Sequence, residues 1–335
     1  MKSGHDLVVG GAGFIGSELV RQLIADGRAV TVLDDLSTGS RERLDGIAGS
    51  TVRLIVGSIL DASLTGKLVG EVERVFNLAC VGLRRSIHDP DPSHDVNATG
   101  ALHLLETARR LGVARFIHVS SSEVYGSAGY APMDEDHPCR PTTPYGAAKL
   151  AGEAYARAYH RTYGLPVVIL RPFNAYGPAG HHEGDSGEVI PRFMLRAMAG
   201  EPLVIFGSGA QTRDFTFVRD TARGIRLAAA SAPAGDTFNL GSGEEFSIAD
   251  IARQISEIVA GGRATIGRDS ARPGDVDRLI ADSRKAEKIL GWRPQIRIGE
   301  GLGLMRDWYR SLQKTPADLI RHDNVRNWEA GVDTR

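Results

Sequence analysis

A glycine-rich turn close to the start of the chain constrains its fold more than any other feature. Gly10, Gly13 and Gly16 follow a short apolar run and open an amphipathic stretch at residues 14–25. In such a turn the first glycine permits the tight bend, the second admits a pyrophosphate to the backbone, and the third lets helix and strand pack closely. Free N–H groups at the helix start then face the diphosphate. The pattern predicts a dinucleotide-binding strand–turn–helix unit; the alternative is a glycine-rich turn without a ligand.

An acidic residue at the end of the next apolar run sharpens this prediction. Residues 29–33 have the pattern of a buried strand, and Asp34 follows directly. A carboxylate at that point can accept both hydroxyls of an adenosine ribose, and it repels a 2′-phosphate. The sequence therefore predicts NAD rather than NADP as the cofactor.

Short apolar runs alternate with amphipathic stretches through the first half of the 335-residue chain. This alternation predicts a parallel sheet with helices on both faces, a Rossmann-type doubly wound α/β fold. The alternation becomes less regular after residue 171, where a smaller C-terminal α/β lobe is expected to bind substrate. The predicted division is residues 1–172 for the dinucleotide and the catalytic helix, and residues 173–312 mainly for the substrate. Residues 313–335 receive no assignment.

Charge and composition narrow the classes of partner. Forty Lys and Arg residues nearly balance 41 Asp and Glu residues, which argues against a nucleic-acid or membrane-surface role. No apolar stretch approaches membrane-spanning length. The two cysteines, Cys80 and Cys139, cannot form a disulfide framework, so a reducing cytoplasm is the expected location.

One loop carries side chains that could bind a metal, namely His181, His182, Glu183 and Asp185. Metal sites need a fixed geometry, and the Gly-rich surroundings of this loop are typical of a flexible segment. We interpret the loop as a flap over the substrate and expect no metal.

Tyr145 and Lys149 lie one helical turn apart on a predicted helix at residues 145–163. A nearby ammonium lowers the pKa of a phenol, so that the phenolate can act as a base. The same ammonium can bind the nicotinamide ribose. A serine run, Ser120–Ser122, ends the preceding predicted strand, whose carboxyl end faces the ligand crevice in an open α/β sheet. The alternatives are a surface pair and a hydroxyl-rich turn.

Taken together, these motifs resemble the extended short-chain dehydrogenases/reductases that act on nucleotide sugars. The resemblance rests on the glycine turn, Asp34, the serine run before Val124-Tyr125-Gly126, and Tyr145-x-x-x-Lys149. It continues through residues 171–178, 211–215, 272–275 and 290–292, and covers about residues 6–310. It implies that Ser121 binds the sugar C4 hydroxyl, that Tyr145 is the base for that hydroxyl, and that Lys149 assists.

The resemblance also implies residues that contact the ligands. Those expected to contact NAD are Gly10, Gly13, Phe14, Ile15, Gly16, Asp34, Ser37, Gly39, Ser58, Ile59, Leu78, Ala79, Tyr145 and Lys149. Those expected to contact a UDP-sugar are Arg84, Asn174, Val189, Val204, Phe206, Arg213, Arg272 and Asp275. Family members often carry Asp at position 58 and His at position 77, where this chain has Ser58 and Asn77. A homodimer is implied, with the helices at residues 101–111 and 145–163 packed against the second copy.

The residues before Val124 bear on which reaction follows oxidation at C4. Ser122 and Glu123 resemble the pair found in UDP-glucuronate decarboxylases, and Arg213 or Arg84 could steady a developing enolate. The leading expectation is therefore a UDP-glucuronate decarboxylase that gives UDP-xylose or its 4-keto precursor. A nucleotide-sugar 4-epimerase, acting on the same uronate or on another sugar, is second, and a 4,6-dehydratase is third. An NAD-binding regulatory protein of the same fold is the non-enzymatic alternative.

Overall fold

The computed structural model describes residues 4–47, 52–321 and 323–329. The strands are β1 His5–Val9, β2 Ala29–Asp34, β3 Val52–Val56, β4 Arg74–Asn77, β5 Arg115–Val119, β6 Val167–Pro172, β7 Asn174–Tyr176, β8 Leu203–Phe206, β9 Thr212–Phe217, β10 Thr237–Leu240, β11 Glu245–Ser247 and β12 Ile266–Asp269. The α-helices are α1 Phe14–Ala25, α2 Ala62–Val69, α3 Leu83–His88, α4 Pro90–His94, α5 Ala101–Leu111, α6 Pro144–Tyr163, α7 Val189–Ala199, α8 Val218–Ser231, α9 Ile248–Ala260, α10 Arg284–Leu290, α11 Ile298–Ser311 and α12 Pro316–Leu319.

Seven parallel strands form the main sheet in the order β3-β2-β1-β4-β5-β6-β10. The strand order reverses between β1 and β4, which are neighbours in the sheet. A crevice opens at the carboxyl ends of the strands at such a reversal, and ligands bind there in open α/β sheets. The predicted Rossmann-type doubly wound fold is confirmed.

Apolar side chains cover both faces of this sheet. On one face α1, α8 and α10 pack through residues that include Leu19, Ile225 and the fully buried Trp292. On the other face α2, α5 and α6 bury residues that include Leu104 and Ala156. Burial on both faces is the reason why these strands are apolar without alternation. The layers hold the strand ends, and therefore the crevice, in a fixed geometry.

The chain beyond residue 172 serves both parts of the molecule. Strand β10 pairs with β6 and therefore belongs to the main sheet. It nevertheless lies within residues 173–312, the range predicted to bind mainly the substrate. The remaining strands form two small sheets, β11-β9-β7 and β12-β8. With α7, α9 and α11 they enclose a separate apolar core around Met194, Ile251 and Leu302. None of the helices in the described ranges is long and apolar enough to cross a membrane.

Candidate active site

The crevice widens into a cavity of about 390 Å³ between the main sheet and the second lobe. Nearly all of the predicted site residues line it: Gly10, Gly13, Phe14, Ile15, Gly16, Asp34, Ser37, Ile59, Leu78, Ala79, Arg84, Ser121, Ser122, Glu123, Tyr145, Lys149, Asn174, Val189, Val204, Phe206, Arg213, Arg272 and Asp275. The fold thus brings together residues from positions 10 to 275 of the chain around one space.

Two predicted cofactor residues are not part of the cavity wall. Gly39 lies behind the carboxylate of Asp34, where an added Cβ would be 2.6 Å from Asp34 Oδ1. The Ser58 hydroxyl accepts a hydrogen bond from the Leu60 N–H at 3.1 Å. Gly39 therefore supports Asp34 from behind, and Ser58 shapes the turn before α2.

The glycine turn leaves no room for side chains. A Cβ on Gly10, whose φ is +79°, would lie 2.8 Å from the backbone nitrogen of Ala79. A Cβ on Gly16 would lie 2.1 Å from the Gly10 carbonyl oxygen. Helix α1 begins directly after Gly13, and no side chain caps it. The uncapped N–H groups at this end of the cavity can bind a diphosphate.

Asp34 is held at the edge of this turn by two backbone groups. Its Oδ2 accepts a hydrogen bond from Ala12 N–H at 2.8 Å, and its Oδ1 accepts one from Leu36 N–H at 2.9 Å. Burial raises the pKa of Asp34, and these two bonds oppose the rise. Arg43 donates to the Ala179 carbonyl at 3.0 Å, which ties it to the loop after β7. The carboxylate is therefore fixed where a ribose diol would meet it and where a 2′-phosphate would be repelled.

Helix α6 is fixed closely against its surroundings. Its first turn is capped by the Thr143 hydroxyl, which accepts a hydrogen bond from Gly146 N–H at 3.2 Å. A Cβ on Gly146 would lie 2.6 Å from the Glu123 carbonyl oxygen, so the helix could not approach the serine turn with any larger residue there. Further along, Glu153 accepts two hydrogen bonds from Arg171 of β6, at 2.9 and 2.7 Å. These contacts set the position of Tyr145 and Lys149.

Tyr145 lies at the centre of the cavity wall. Its hydroxyl is within 3.8 Å of Cys80 Sγ, and Ser86 Oγ accepts a hydrogen bond from its backbone N–H at 3.1 Å. Burial raises the pKa of the Tyr145 phenol well above its ordinary value; Cys80 adds to the rise, and a hydrogen bond with Ser121 lowers it. The net direction is opposite to the lowering predicted from Lys149, because burial is the largest cause and the charges of Cys80 and Glu123 act in the same direction.

Lys149 points beneath the end of β5. Its ammonium donates a hydrogen bond to the Val119 carbonyl at 3.0 Å, and burial lowers the pKa of the lysine. His118, one residue earlier on β5, is 1% exposed, and neither ring nitrogen has a hydrogen-bond partner among the described residues. Burial lowers the pKa of His118 to about 3, and the nearby Lys149 charge acts in the same direction. The group below the ammonium is therefore a neutral imidazole.

Glu123 faces a cluster of charged side chains from the second lobe. Asp275 accepts hydrogen bonds from Arg213 at 2.5 Å and from Arg272 at 2.6 Å, so one carboxylate orients both guanidinium groups. Burial raises the pKa of Glu123, and the charges of Arg213 and Arg272 oppose the rise. Neighbouring arginines of this kind can bind a diphosphate.

Arg84 and Glu188 form a second charged group in the wall. Arg84 makes no hydrogen bond or ion pair with a residue in the described ranges, and burial lowers its pKa to about 9. Burial raises the pKa of Glu188 to about 7, against the opposing charge of Arg84. A guanidinium without a direct partner inside a cavity can bind an anionic group of a ligand.

The loop between β7 and α7 is anchored at several points. His181 packs against Phe14 with ring centroids 6.2 Å apart, and Asp185 lies 3.7 Å from the ring of His88. His181 and Asp185 line the cavity, which agrees with the interpretation as a flap. Within the described ranges, no group of three or more His, Cys, Asp or Glu side chains is placed to hold a metal ion.

Several wall residues were not predicted from the sequence, and the tail supplies the most distant of them. Glu188 and Arg192 lie at the start of α7, while Val325, Asn327 and Trp328 follow α12. The sequence could have indicated Glu188, because it directly precedes the helix α7. The tail gives no such indication, because its only feature is an isolated aromatic residue in a polar segment.

One cavity holds a dinucleotide-binding turn, a Ser-Tyr-Lys group and two arginines that can bind a diphosphate. This combination is typical of the active site of an enzyme that oxidises nucleotide sugars. Residues 7–305 match the family model described as GDP-mannose 4,6 dehydratase. The chain belongs to the NAD-dependent epimerase/dehydratase group of the extended short-chain dehydrogenases/reductases. The resemblance drawn from its motifs is confirmed.

Similar proteins span nearly the whole chain. A UDP-glucose 4-epimerase from Mycolicibacterium smegmatis is 38% identical and covers 91% of this chain and 98% of its own. The dTDP-glucose 4,6-dehydratase DesIV from Streptomyces venezuelae, solved with NAD, is 36% identical with a TM-score of 0.87, covering 91% of this chain and 97% of its own. A UDP-glucose 4-epimerase from Thermotoga maritima, solved with UDP-glucose, is 34% identical with a TM-score of 0.86, covering 91% and 98%.

NAD is the cofactor of this group, and the residues of this chain fit it. The uncapped start of α1, the space that a Cβ at Gly10 or Gly16 would fill, and the fixed Asp34 carboxylate suit a diphosphate and an adenosine ribose. When bound, NAD supplies a hydride acceptor and a positive charge beside the substrate carbon. Tyr145 and Lys149 are placed at the same wall, where they can contact the sugar and the cofactor.

Proposed function

We propose that this protein is a UDP-sugar 4-epimerase. The observation that carries the proposal is the placement of Ser121 and Tyr145 in the same cavity wall as the dinucleotide turn and the arginines held by Asp275. A nucleotide sugar whose diphosphate meets Arg213 and Arg272 can extend toward this pair. The epimerases from M. smegmatis and T. maritima support the same reading.

The roles of the residues follow from that placement. Tyr145 takes the proton of the sugar C4 hydroxyl, and Ser121 orients that hydroxyl. The high pKa of Tyr145 disfavours the phenolate in the protein alone, so the base needs the positive charges of Lys149 and of the cofactor. The C4 hydride would pass to bound NAD, which supplies the oxidant, and a ketone flat at C4 would remain. Once the ketone has turned over in the site, return of the hydride to its other face and of the Tyr145 proton to its oxygen would give the C4 epimer, and no further acid or base is required.

A second candidate is the UDP-glucuronate decarboxylase favoured by the serine–glutamate pair, and Glu123 supports it. After oxidation at C4, a glucuronate is a β-keto acid. Its C5–C6 bond breaks, CO2 leaves, and the electron pair moves onto the C4 oxygen as an enolate. Burial raises the pKa of Glu123, which makes its protonated form easier to reach, and a protonated Glu123 can give the proton that C5 then needs. Arg84, which has no direct partner in the described ranges, suits the uronate carboxylate.

A 4,6-dehydratase is third. Loss of water across C5–C6 needs a base for the C5 proton and an acid for the departing oxygen at C6. Beside Tyr145, the serine turn offers one carboxyl group, Glu123, and the buried hydroxyl of Ser122. A hydroxyl is a weak acid, which places this reaction behind the other two.

A panel of nucleotide sugars separates these reactions by mass. The NAD-loaded protein would be incubated with UDP-glucose, UDP-glucuronate and dTDP-glucose, and the products analysed by mass spectrometry and chromatography. An unchanged mass with a new C4 epimer supports the proposal. Loss of CO2 from UDP-glucuronate replaces it with the decarboxylase, and loss of water from dTDP-glucose replaces it with the dehydratase. Retained NAD without turnover of any sugar would favour a regulatory protein.

We also infer that two copies associate through α5 and α6. These helices carry Leu111, Tyr155 and Tyr163, which are large apolar or aromatic residues exposed in the single chain. Association would bury them, as the resemblance to the family implies. Light scattering tests the inference: a mass near twice 36.0 kDa supports it, and a mass of 36.0 kDa at working concentration rejects it.

A further inference from the structure

The segment Asp323–Glu329, which we call the C-terminal strap, lies against the cavity. Three of its residues, Val325, Asn327 and Trp328, are part of the cavity wall, together with Val204 and Phe206 of β8. The strap lies beyond residue 305, where the match to the family model ends. The family model therefore describes no role for the strap.

Arginines of α7 fix the start of the strap. Arg192 donates to Asp323 Oδ1 at 3.0 Å and to the carbonyls of Asn324 and Val325 at 2.9 and 3.1 Å. Arg196 donates to Asp323 Oδ2 at 2.9 Å. Both guanidinium groups and the Asp323 carboxylate are largely buried. Charge-assisted bonds with little exposure hold a segment more firmly than exposed ion pairs do.

Trp328 lies where the strap meets β8. Its ring packs edge-on against Phe206, with ring centroids 4.5 Å apart and an angle of 87° between the ring planes. Trp328 is only 5% exposed, although it lines the cavity. Phe206 thus holds the Trp328 ring in one orientation at the cavity wall, where the part of the ring that lines the cavity can contact a planar ligand.

Asn327 joins the strap to the flap. Its Nδ2 donates to the carbonyls of Gly184 and Gly187 at 2.9 and 3.0 Å. Its Oδ1 is buried and accepts no hydrogen bond from the described residues, and the residue is 2% exposed. A buried amide oxygen without a donor is costly, so a ligand that offers an N–H suits this place. A uracil or thymine ring carries such a group.

We propose that the C-terminal strap is part of the nucleotide-binding site, with the Trp328 ring packing on the pyrimidine base of the nucleoside diphosphate. The inference rests on the proposed function only in taking a nucleoside diphosphate as the ligand. It holds for an epimerase, a decarboxylase or a dehydratase, because all three bind the same part of the substrate. Trp328 is a binding residue and takes no part in the chemistry at C4.

The test measures the binding of UDP and of dTDP, without a sugar, to the NAD-loaded full chain by calorimetry. Loss of one base–aromatic contact on alanine substitution weakens binding by roughly five- to hundredfold. We expect Trp328→Ala to weaken binding of the preferred nucleotide within that range. Trp328→Phe keeps a ring and should retain most of the affinity. The NAD content of both variants should equal that of the wild type, which shows that they are folded.

Tryptophan fluorescence provides a second readout. The chain has three tryptophans: Trp292 is fully buried in the core, and Trp308 packs on Tyr309 of α11. Nucleotide should quench part of the emission of the wild type and of Trp308→Phe, the matched control. The quenching should be absent in Trp328→Phe.

The outcomes are distinct. Weaker binding by Trp328→Ala with unchanged NAD content, together with loss of quenching in Trp328→Phe, supports the inference. Binding by Trp328→Ala within twofold of the wild type, or quenching that persists in Trp328→Phe, overturns it and leaves the proposed function standing. A wild type that binds neither UDP nor dTDP overturns the inference and the proposed function together.

Discussion

The two ends of the cavity are built in different ways. At the cofactor end, a contiguous unit from β1 to β2 supplies backbone N–H groups, glycines without side chains, and one carboxylate. At the substrate end, side chains from β9, the segment at residues 272–275, α7 and the strap converge from distant parts of the chain. The first end depends on backbone shape. The second depends on individual side chains held in place by their contacts with one another.

This difference explains why the cofactor is easier to assign than the reaction. Any variant of the glycine turn must avoid the contacts at Gly10 and Gly16, so few sequences are compatible with it. By contrast, Glu123 and Arg84 impose no such steric condition on the fold. Relatives that share the architecture can therefore carry epimerase or dehydratase activity.

The largest effect is expected where the two ends meet. Tyr145→Phe removes the proton acceptor and keeps the ring that packs in the wall. Removal of a general base lowers a rate by on the order of 10²- to 10⁴-fold. Steady-state turnover should fall within that range, while NAD content and UDP affinity stay at the wild-type level. Near-normal turnover would place the base elsewhere in the cavity.

Asp34→Ala tests the cofactor end alone. The change removes the acceptor for a ribose diol and leaves the N–H groups of Ala12 and Leu36 without their partner, a loss of about 1–3 kcal/mol. NAD affinity should fall by roughly tenfold or more, and discrimination against NADP should relax. The matched control is Asp26→Ala, because the exposed Asp26 carboxylate pairs with Arg226 and lies outside the cavity wall. Equal NAD affinity in the two variants would contradict the role of Asp34, and UDP affinity should not change in either.

Glu123→Gln tests the substrate end alone and separates the two leading reactions. An epimerase uses no acid at C5, so the mass-neutral reaction should remain largely intact. A decarboxylase loses the donor of the proton that C5 takes up after CO2 has left, so steady-state formation of the pentose product should slow by on the order of 10²-fold or more. Product masses and CO2 are measured on the same samples. In D₂O, deuterium at C5 of the product identifies the decarboxylase, and its absence agrees with the epimerase.

The sequence is sufficient for the cofactor end because its signals are local. The glycine spacing, the apolar strand at residues 29–33 and Asp34 lie within one supersecondary unit, and the structure places them together. Helix α6 and its Tyr145–Lys149 spacing are equally local. The direction of the Tyr145 pKa was not predictable from that spacing, because it depends on burial by residues far away in the chain.

Less of the substrate end could be predicted from the sequence, because its contacts join residues that are far apart in the chain. Strands β7, β9 and β11 are three to six residues long and pair across gaps of about 30 to 40 residues, as Asn174 does with Phe215. No periodic pattern develops over such lengths. The pairing of Arg213 and Arg272 through Asp275, and the contact of Trp328 with Phe206, exist only after the chain has folded. Motif resemblance found the arginines, and nothing in the tail indicated the tryptophan.

The smallest predicted effects concern stability, and they have opposite signs for His118 and Glu188 as the pH changes. His118, below Lys149, has its pKa lowered to about 3, so its neutral form stabilises the fold above pH 6.5, and that contribution is lost as the pH falls. The loss amounts to about 1 kcal/mol at pH 6 and about 2 kcal/mol at pH 5. Glu188, in the second lobe, has its pKa raised to about 7, so its contribution is present below about pH 4.5 and is lost as the pH rises through 7.

Urea unfolding at pH 5, 6 and 8 measures both effects on the wild type, His118→Gln and Glu188→Gln. Relative to the wild type, His118→Gln should gain stability as the pH falls from 8 to 5, because glutamine does not take up a proton. Glu188→Gln should gain relative stability in the other direction, as the pH rises. A difference between wild type and variant that stays constant with pH would show that the histidine or the glutamate titrates as it does in water. Because the two groups change stability in opposite directions with pH, one pH series reports on each of them separately.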